Sequence, residues 1–389
     1  MIRHEGQSTY LRCGSRETRD VQEPIVNETT HQPLSGTPWL EQAPVFRSGE
    51  EGYHTYRIPA LAVTNRGTVL AFCEGRKNSS ADNGDIDLLL RRSLDSGRTW
   101  RPRQTLWDQG EETIGNPCPV LDRATGTIWL ACCRNNDRVY LLRSQDDGQT
   151  WSPPVEITAS VKRPEWGPIG TGPGHGLQLR SGRLLIPCWA MRPDWKRPGN
   201  AFCIYSDDNG ATWAAGDVVP GVDWGDECMP VDTPENGVYL SIRSGDQPSD
   251  THLRAYSWSR DGGSTWSPVQ WHADVPEPAC CQGSAIRYTA TGCPGRAPIL
   301  LANPAGPSRE RLTIRLSHDD CRTWSAGRVL HPGPSAYSDL ALLPDGGVLC
   351  LYERGTAHPN ETLSLARFNL AWLTAACSQQ ADGEGVLPQ

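Results

Sequence analysis

The octet "SLDSGRTW", at residues 93–100, is repeated in altered form four more times along the chain. The later copies are "SQDDGQTW" (144–151), "SDDNGATW" (206–213), "SRDGGSTW" (259–266) and "SHDDCRTW" (317–324). Asp and Gly in the middle favour a tight turn, because Asp bonds nearby backbone N–H groups and Gly tolerates positive φ. Ser at the front and Thr-Trp at the back suit strands. We therefore predict five β-hairpin turns, each with a Trp packed beneath it.

The copies lie about 50 to 60 residues apart, and a fixed period of that size indicates one repeated supersecondary unit. Each period has room for about four short strands. A radial array of four-stranded sheets is a β-propeller, which protects most strand edges. The alternatives are chance recurrence, which five ordered copies disfavour, and a linear β-solenoid, whose coils are usually much shorter.

Pairs of strand-like segments fill the intervals, beginning with "ALAV" and "GTVLAFCE" and ending with "GVLCLYERG" and "LSLARFNL". Six such pairs predict an all-β fold, a six-bladed β-propeller of four-stranded antiparallel blades, over residues 41–375. The last blade lacks an outer strand, which the segment near "APVFRSG" could supply. Residues 1–40 are expected to form a polar, disordered leader and residues 376–389 a frayed tail.

Cys321 replaces the turn Gly of the fifth octet, and positive φ there costs about 1 kcal/mol.

The composition limits the classes of binding partner and the cellular compartment that we expect. The net charge of −8 argues against nucleic acid and anionic membranes as partners. No apolar run is long enough for a membrane span, and the first 20 residues do not resemble a secretory signal. The 14 Cys residues include no metal-type CxxC pairs, so we expect mostly free thiols in a reducing, cytoplasmic location.

The stretch "YRIPAL" at residues 56–61, together with the five octets, carries a specific resemblance. Over about residues 44–370 the chain resembles the exo-sialidases (neuraminidases) of bacteria and animals, in which the octet is called the Asp-box. The resemblance implies a six-bladed propeller and a retaining exo-α-sialidase. Its substrates would be sialylated oligosaccharides, glycoproteins or glycolipids. It assigns the Asp-boxes to folding, because they lie at the edges of the blades.

The resemblance implies three arginines around the substrate carboxylate. Arg57 is the Arg of "YRIP", and Arg243 closes "GVYLSIRS". In "NPAGPSRERLTIRLS" the family spacing selects Arg309 over Arg311. A sialoside is anionic near neutral pH, and planar guanidinium groups bind a carboxylate in a bidentate manner. A cluster of three arginines is therefore expected to take an acidic ligand.

Three further positions match the family's catalytic residues. Tyr337 in "SAYSDLALL" matches the nucleophile, and Glu227 in "DECMPV" matches the base that activates it. A carboxylate nucleophile would be repelled by the substrate's own carboxylate, whereas a phenol is neutral until activated. Asp82 matches the acid/base that protonates the leaving oxygen, with Asp85 and Asp87 as nearby competitors.

The family also implies supporting residues. Glu353 in "LYERG" should pair with Arg57, while Arg76, Asn116 and Glu165 correspond to sugar contacts. His175 in "GPGHG" has no place in the mechanism, and we expect a structural role for it. The chemistry requires no metal and no cofactor.

Three readings of the function stay open from the sequence. The first is a retaining exo-α-sialidase, and the second is a related enzyme that cleaves Kdn glycosides or transfers sialic acid. The third is a propeller that binds sialic acid without catalysis, which the filled catalytic positions disfavour.

Overall fold

The computed structural model describes residues 36–194, 199–221, 225–234, 237–244, 252–289 and 297–375. Most of the predicted leader (1–40) and all of the predicted tail (376–389) lie outside these ranges. The strands are β1 (Leu40–Arg47), β2 (Thr55–Val63), β3 (Val69–Arg76), β4 (Ile86–Ser93), β5 (Gln104–Trp107), β6 (Ile114–Leu121), β7 (Ile128–Arg134), β8 (Arg138–Ser144), β9 (Val155–Glu156), β10 (Ile169–Thr171), β11 (Leu177–Gln178), β12 (Leu184–Ala190), β13 (Asn200–Ser206), β14 (Ala214–Ala215), β15 (Gly225–Asp232), β16 (Val238–Ser244), β17 (Leu253–Ser259), β18 (Gln270–Pro276), β19 (Ser284–Arg287), β20 (Ile299–Pro304), β21 (Glu310–Ser317), β22 (Arg328–Leu342), β23 (Val348–Arg354) and β24 (Thr362–Phe368).

The described helices are short: α1 (Thr158–Val161), α2 (Leu370–Thr374) and one 3-10 turn (Pro359–Glu361). Within the ranges above, none of them has the length and apolar character needed to cross a membrane. The fold is therefore all-β, as the sequence predicts.

The strands form antiparallel sheets that follow chain order. Three sheets have four strands, β2 to β5, β6 to β9 and β15 to β18, and a fourth combines β10 to β14. The fifth is a seven-stranded sheet in the order β1-β24-β23-β22-β21-β20-β19. It is continuous because β22 is 15 residues long and pairs with β21 through its first part and with β23 through its second. Four-stranded antiparallel sheets are thus present as predicted, whereas the sheet of β10 to β14 has five strands and the last sheet joins two units through β22.

The first strand of the chain completes the last sheet. Leu40 of β1 pairs with Phe368 of β24, and Arg47 pairs with Thr362, in antiparallel register. The segment that contains "APVFRSG" therefore supplies the missing outer strand, as expected.

Apolar side chains pack between neighbouring sheets. Leu70 and Phe72 of β3 pack with Leu130 of β7 in one buried cluster, and equivalent clusters join each later sheet to the next. Another cluster packs the two halves of the seven-stranded sheet against each other. A further cluster joins the last sheet to the first, with Leu349 and Leu351 of β23 against residues of β2 and β3. Burial of the two faces of each sheet stabilises the array.

All five octets form the same hydrogen-bonded turn. In the first, Gly97 N donates to Ser93 Oγ at 2.8 Å, and Thr99 N donates to Asp95 Oδ1 at 2.8 Å. The turn Gly has positive φ, 83° at Gly97, and Cys321 in the fifth octet keeps it at 65°. Cys321 N still donates to Ser317 Oγ at 2.8 Å. The turn is therefore retained despite the cost of a side chain in the left-handed region.

The Trp of the octet is a packing residue. Trp213 is 5% exposed, its Nε1 donates to Gly210 O at 3.0 Å, and its ring meets Trp129 edge-on. We expect Trp213→Ala to lower the free energy of unfolding by about 3–5 kcal/mol, because it opens a cavity between two sheets. Chemical denaturation measures this change. Trp271→Ala is the control, since Trp271 is 43% exposed, and an equal loss in both variants would contradict the packing role.

The described cysteines are buried or half-buried and free. Eleven of them lie in the described ranges, and none of those eleven is in a disulfide. Cys73, Cys188 and Cys350 lie in buried strands, where burial raises the pKa of each thiol. They therefore behave as small apolar residues.

Candidate active site

Four strands change register at the candidate site residues. The pairing shifts between Arg57 and Ala60 in β2, and between Gly115 and Cys118 in β6. It also shifts between Gly225 and Cys228 in β15, and between Ser335 and Ser338 in β22. A β-bulge adds a residue on one strand and re-aims the side chains beside it. Arg57, Asn116, Glu227 and Tyr337 all lie at these bulges.

Tyr337 and Glu227 are in direct contact. The phenol of Tyr337 donates to Glu227 Oε1 at 2.6 Å, and both residues are 6% exposed. Burial and the neighbouring carboxylate raise the pKa of Tyr337 well above its usual value. Burial also raises the pKa of Glu227, against the opposing effect of Arg243. The two groups therefore share a proton, and Tyr337 stays neutral until Glu227 accepts it.

Arg243 bridges this pair. Its Nη1 donates to Glu227 Oε2 at 2.7 Å and to the phenol oxygen of Tyr337 at 3.1 Å. A cation placed there stabilises a developing phenolate. Arg243 can thus act on the nucleophile as well as on a substrate anion.

Arg57 is held by Glu353 in a bidentate pair. Arg57 Nε donates to Glu353 Oε1 at 3.1 Å, and Nη2 donates to Oε2 at 3.3 Å. Glu353 is fully buried and also accepts a hydrogen bond from Tyr337 N at 3.3 Å. The guanidinium carbon of Arg57 lies 5.0 Å from the centre of the Tyr337 ring, and that of Arg309 lies at 5.5 Å. The structure thus brings all three predicted arginines around Tyr337.

Asp82 lies against two of the arginines. Its Oδ1 accepts from Arg76 Nη1 at 2.7 Å and from Arg57 Nη1 at 3.1 Å, while its side chain is 79% exposed. Partial loss of water around the carboxylate acts to raise the pKa of Asp82, but Arg76 and Arg57 outweigh it and lower that pKa below the usual value. Asp82 is therefore ionised when no ligand competes for the arginines.

The competing aspartates have other partners. Lys77 Nζ lies 2.8 Å from Asp85 Oδ1, 3.2 Å from Asp87 Oδ2 and 3.1 Å from Asp108 Oδ2. These three carboxylates lie close enough together to suggest a cation site, but the Lys77 ammonium already contacts all three. Arg311, the competitor of Arg309, is exposed and has a φ of 58°.

Glu74 belongs to the site although sequence reasoning missed it. It is 4% exposed, and its Oε2 accepts from Arg76 Nε at 3.0 Å. Its Oε1 accepts from Asn116 N at 2.9 Å, so it connects Arg76 to the bulge in β6. A Glu two residues before an Arg in the apolar run "VLAFCEGR" places both side chains on one face, which is the signal that could have found it. Glu165 is exposed and shares no described hydrogen bond or ion pair with the other candidates.

Sequence comparison finds a repeat family and several sialidases among the proteins similar to this chain. A family model described as "BNR repeat-like domain" matches residues 67–350. A sialidase of Micromonospora viridifaciens is 35% identical over 384 residues, which covers 89% of this chain and 56% of that protein. Sialidase-3 of Bos taurus is 31% identical over 404 residues, with 84% of this chain and 92% of that protein covered. The chain thus spans just over half of the bacterial relative and nearly all of the bovine one.

Solved structures agree on the fold. The Hadza microbial sialidase Hz136 superposes with a TM-score of 0.76 at 28% identity, covering 85% of this chain and 69% of that one. The intramolecular trans-sialidase of Ruminococcus gnavus, in complex with oseltamivir carboxylate, gives a TM-score of 0.70 at 18% identity, covering 85% and 98%. At that lower identity the likeness concerns the fold alone.

Proposed function

The chain belongs to the sialidase family, and from that premise we propose that it is a retaining exo-α-sialidase. It would release terminal sialic acid from glycoconjugates through a covalent bond to Tyr337. The observation that carries the proposal is the buried contact between Tyr337 and Glu227, at 2.6 Å, beneath three arginines. Glycosidases that use two carboxylates have no need of such a pair.

The proposed reaction begins with the substrate carboxylate on Arg57, Arg243 and Arg309. Tyr337 Oη attacks the anomeric carbon as Glu227 takes its proton, and the bond to the leaving oxygen breaks. Asp82 gives its proton to that oxygen. In the second step Asp82 accepts a proton from water, the water oxygen attacks the anomeric carbon, and Tyr337 leaves and regains its proton from Glu227. The anomeric configuration is inverted twice and so retained.

The charges at the site favour this order of events. Attack by the Tyr337 phenol forms a neutral aryl glycosidic bond while its proton passes to Glu227, so the nucleophile carries little negative charge toward the substrate carboxylate. Arg243 stabilises the charge that appears while the proton moves to Glu227. Glu353 holds the guanidinium of Arg57 in one orientation, which fixes the substrate carboxylate relative to the nucleophile.

In the free enzyme the pKa values of the proposed acid and base are shifted in the directions opposite to those that the reaction needs. Glu227 must be ionised to act, and its pKa is raised, whereas Asp82 must be protonated, and its pKa is lowered. As pH rises through the pKa of Glu227, Asp82 has already lost its proton. A substrate carboxylate that competes for Arg57 weakens the interaction which keeps Asp82 ionised. Binding should therefore raise the pKa of Asp82 and supply the missing proton from solvent.

We expect proton uptake when a carboxylate inhibitor binds. Calorimetry with oseltamivir carboxylate, in buffers of different ionisation enthalpy between about pH 4 and 6, measures it. Asp82→Asn is the matched control, because it keeps the shape and cannot take up the proton. Binding with no net uptake by the wild-type protein, or with equal uptake by the variant, would contradict the assignment of Asp82.

Turnover of a fluorogenic N-acetylneuraminide tests the function itself. The same assay with the Kdn analogue and with added sugar acceptors separates hydrolysis from Kdn cleavage and from transfer. Tight binding of sialosides without release of the fluorophore would instead favour a binding protein.

We further propose that residues 41–375 form a six-bladed propeller. The supports are five apolar clusters between consecutive sheets, one of which joins last to first, and a sixth between the two halves of the seven-stranded sheet. The pairing of β1 with β24 is a further support. The division of the seven-stranded sheet at β22 gives the fifth and sixth blades. The site residues would then lie around one end of the central axis.

A further inference from the structure

Asp339 is a fully buried carboxylate two residues after Tyr337 on β22. Its Oδ2 accepts from Leu61 N at 2.7 Å, and its Oδ1 accepts from Ser284 Oγ at 2.8 Å. Oδ1 also lies 2.7 Å from His175 Nδ1. An ionised carboxylate can only accept hydrogen bonds, so His175 donates from Nδ1. No Lys or Arg makes a described ion pair with Asp339. The hydrogen bonds from these donors therefore offset the cost of burying its carboxylate.

Ser284 and the nearby Gln282 also hold the backbone on either side of Asp339. Ser338 N donates to Gln282 Oε1 at 3.0 Å, and Leu340 N donates to Ser284 Oγ at 3.0 Å. The bulge between Ser335 and Ser338 interrupts pairing with β23 at Tyr337, and regular pairing resumes at Ser338. The side chains of Gln282 and Ser284 thus add to the strand pairing that fixes the residues directly after Tyr337.

His175 connects this network to a cavity at the other end of the same strands. The cavity has a volume of about 540 Å³, and its lining includes His175, Leu61 and Leu342. Arg57 lies near the start of β2, and Tyr337 lies beyond the middle of β22. Both strands reach the cavity with their last residues. Exposed residues such as Asn65 and Arg123 lie at its wall, so it opens to solvent.

We propose that His175 is a positioning residue for Tyr337, which it orients through Asp339. The inference rests on the proposed function. Loss of the Nδ1 donor leaves a buried carboxylate short of one hydrogen bond, and such a group moves toward another donor or admits water. Because Asp339 and Tyr337 are two residues apart on one strand, that movement shifts the phenol. A misplacement of about 1 Å can cost about 100-fold in rate.

The test compares three substitutions of His175. In His175→Asn the amide nitrogen takes the place of Nδ1, so kcat should stay within about 3-fold of wild type. In His175→Gln the amide nitrogen takes the place of Nε2, which does not bond Asp339. In His175→Ala the hydrogen-bond donor is lost altogether. Both should lower kcat by about 10- to 100-fold with KM within about 3-fold, because substrate contacts are unchanged. Imidazole added to His175→Ala should restore kcat by entering the open cavity.

His331→Ala is the matched control. His331 is half-buried on β22, lies 3.3 Å from Gly355 O through Nε2, and makes no described contact with Asp339. Its activity should not change, with or without imidazole. Equal kcat in the Asn and Gln variants, or no recovery with imidazole, overturns the proposal. An inactive wild-type protein would refute the proposed function, whereas an active one with an unaffected His175→Ala variant would refute only this inference.

Discussion

Tyr337→Phe is expected to fold normally and to lose kcat by about 10³-fold or more. Phe keeps the ring and its packing against Arg57 and Arg309, but it has no oxygen to form the glycosyl bond. Stopped assays with a fluorogenic sialoside measure the loss. Tyr352→Phe is the matched control, since it removes a buried phenol whose partners are Gln42 and Arg354 and should leave turnover unchanged.

Glu227 supplies a second test of the same pair. The double variant Tyr337→Phe with Glu227→Ala should be little worse than the worse single variant, because groups that act as a unit are not additive. A fluorinated sialic acid should trap the intermediate, with the label on Tyr337 in peptide mass analysis. A label on Asp82 or Glu227, or near-normal turnover by Tyr337→Phe, would show that the nucleophile is another residue.

Arg243→Ala should weaken a carboxylate inhibitor by about 30- to 3,000-fold. Removal of one partner of a buried charged pair costs about 2–5 kcal/mol, and about 1.4 kcal/mol is tenfold in affinity. Comparison of oseltamivir carboxylate with its ethyl ester separates loss of carboxylate binding from any general damage to the site, because the ester lacks the anion. The affinity for the ester should change much less.

Turnover should also fall in this variant, since Arg243 donates to both Glu227 and Tyr337. Arg311→Ala is the control, an exposed arginine two residues from Arg309 that should leave both affinities unchanged. Equal loss of affinity for the acid and the ester in Arg243→Ala would show that this side chain does not bind the carboxylate.

The octets made the repeat and its turn predictable, because each has local chemistry that needs no partner elsewhere. Ser93 and Asp95 bond atoms within four residues of themselves. The outer strand β1 could also be predicted, since a sheet with an unpaired edge requires one.

The site was less accessible to sequence reasoning. Family spacing chose Arg309 over Arg311, and the structure places Arg309 at Tyr337 while Arg311 is exposed. The bulges that re-aim Arg57 and Asn116 depend on pairing between strands and leave no mark in the local sequence. The contact of Asp82 with two arginines likewise depends on where three segments meet.

The pairing of β1 with β24 determines how the chain responds to tension. Leu40 lies opposite Phe368, so both ends of the described chain leave the sheet on the same side. A pull on these ends loads the hydrogen bonds between β1 and β24 one after another, like a zipper, instead of all together in shear. The first mechanical event should therefore be the peeling of one eight-residue strand at low force, with the remaining sheets still folded.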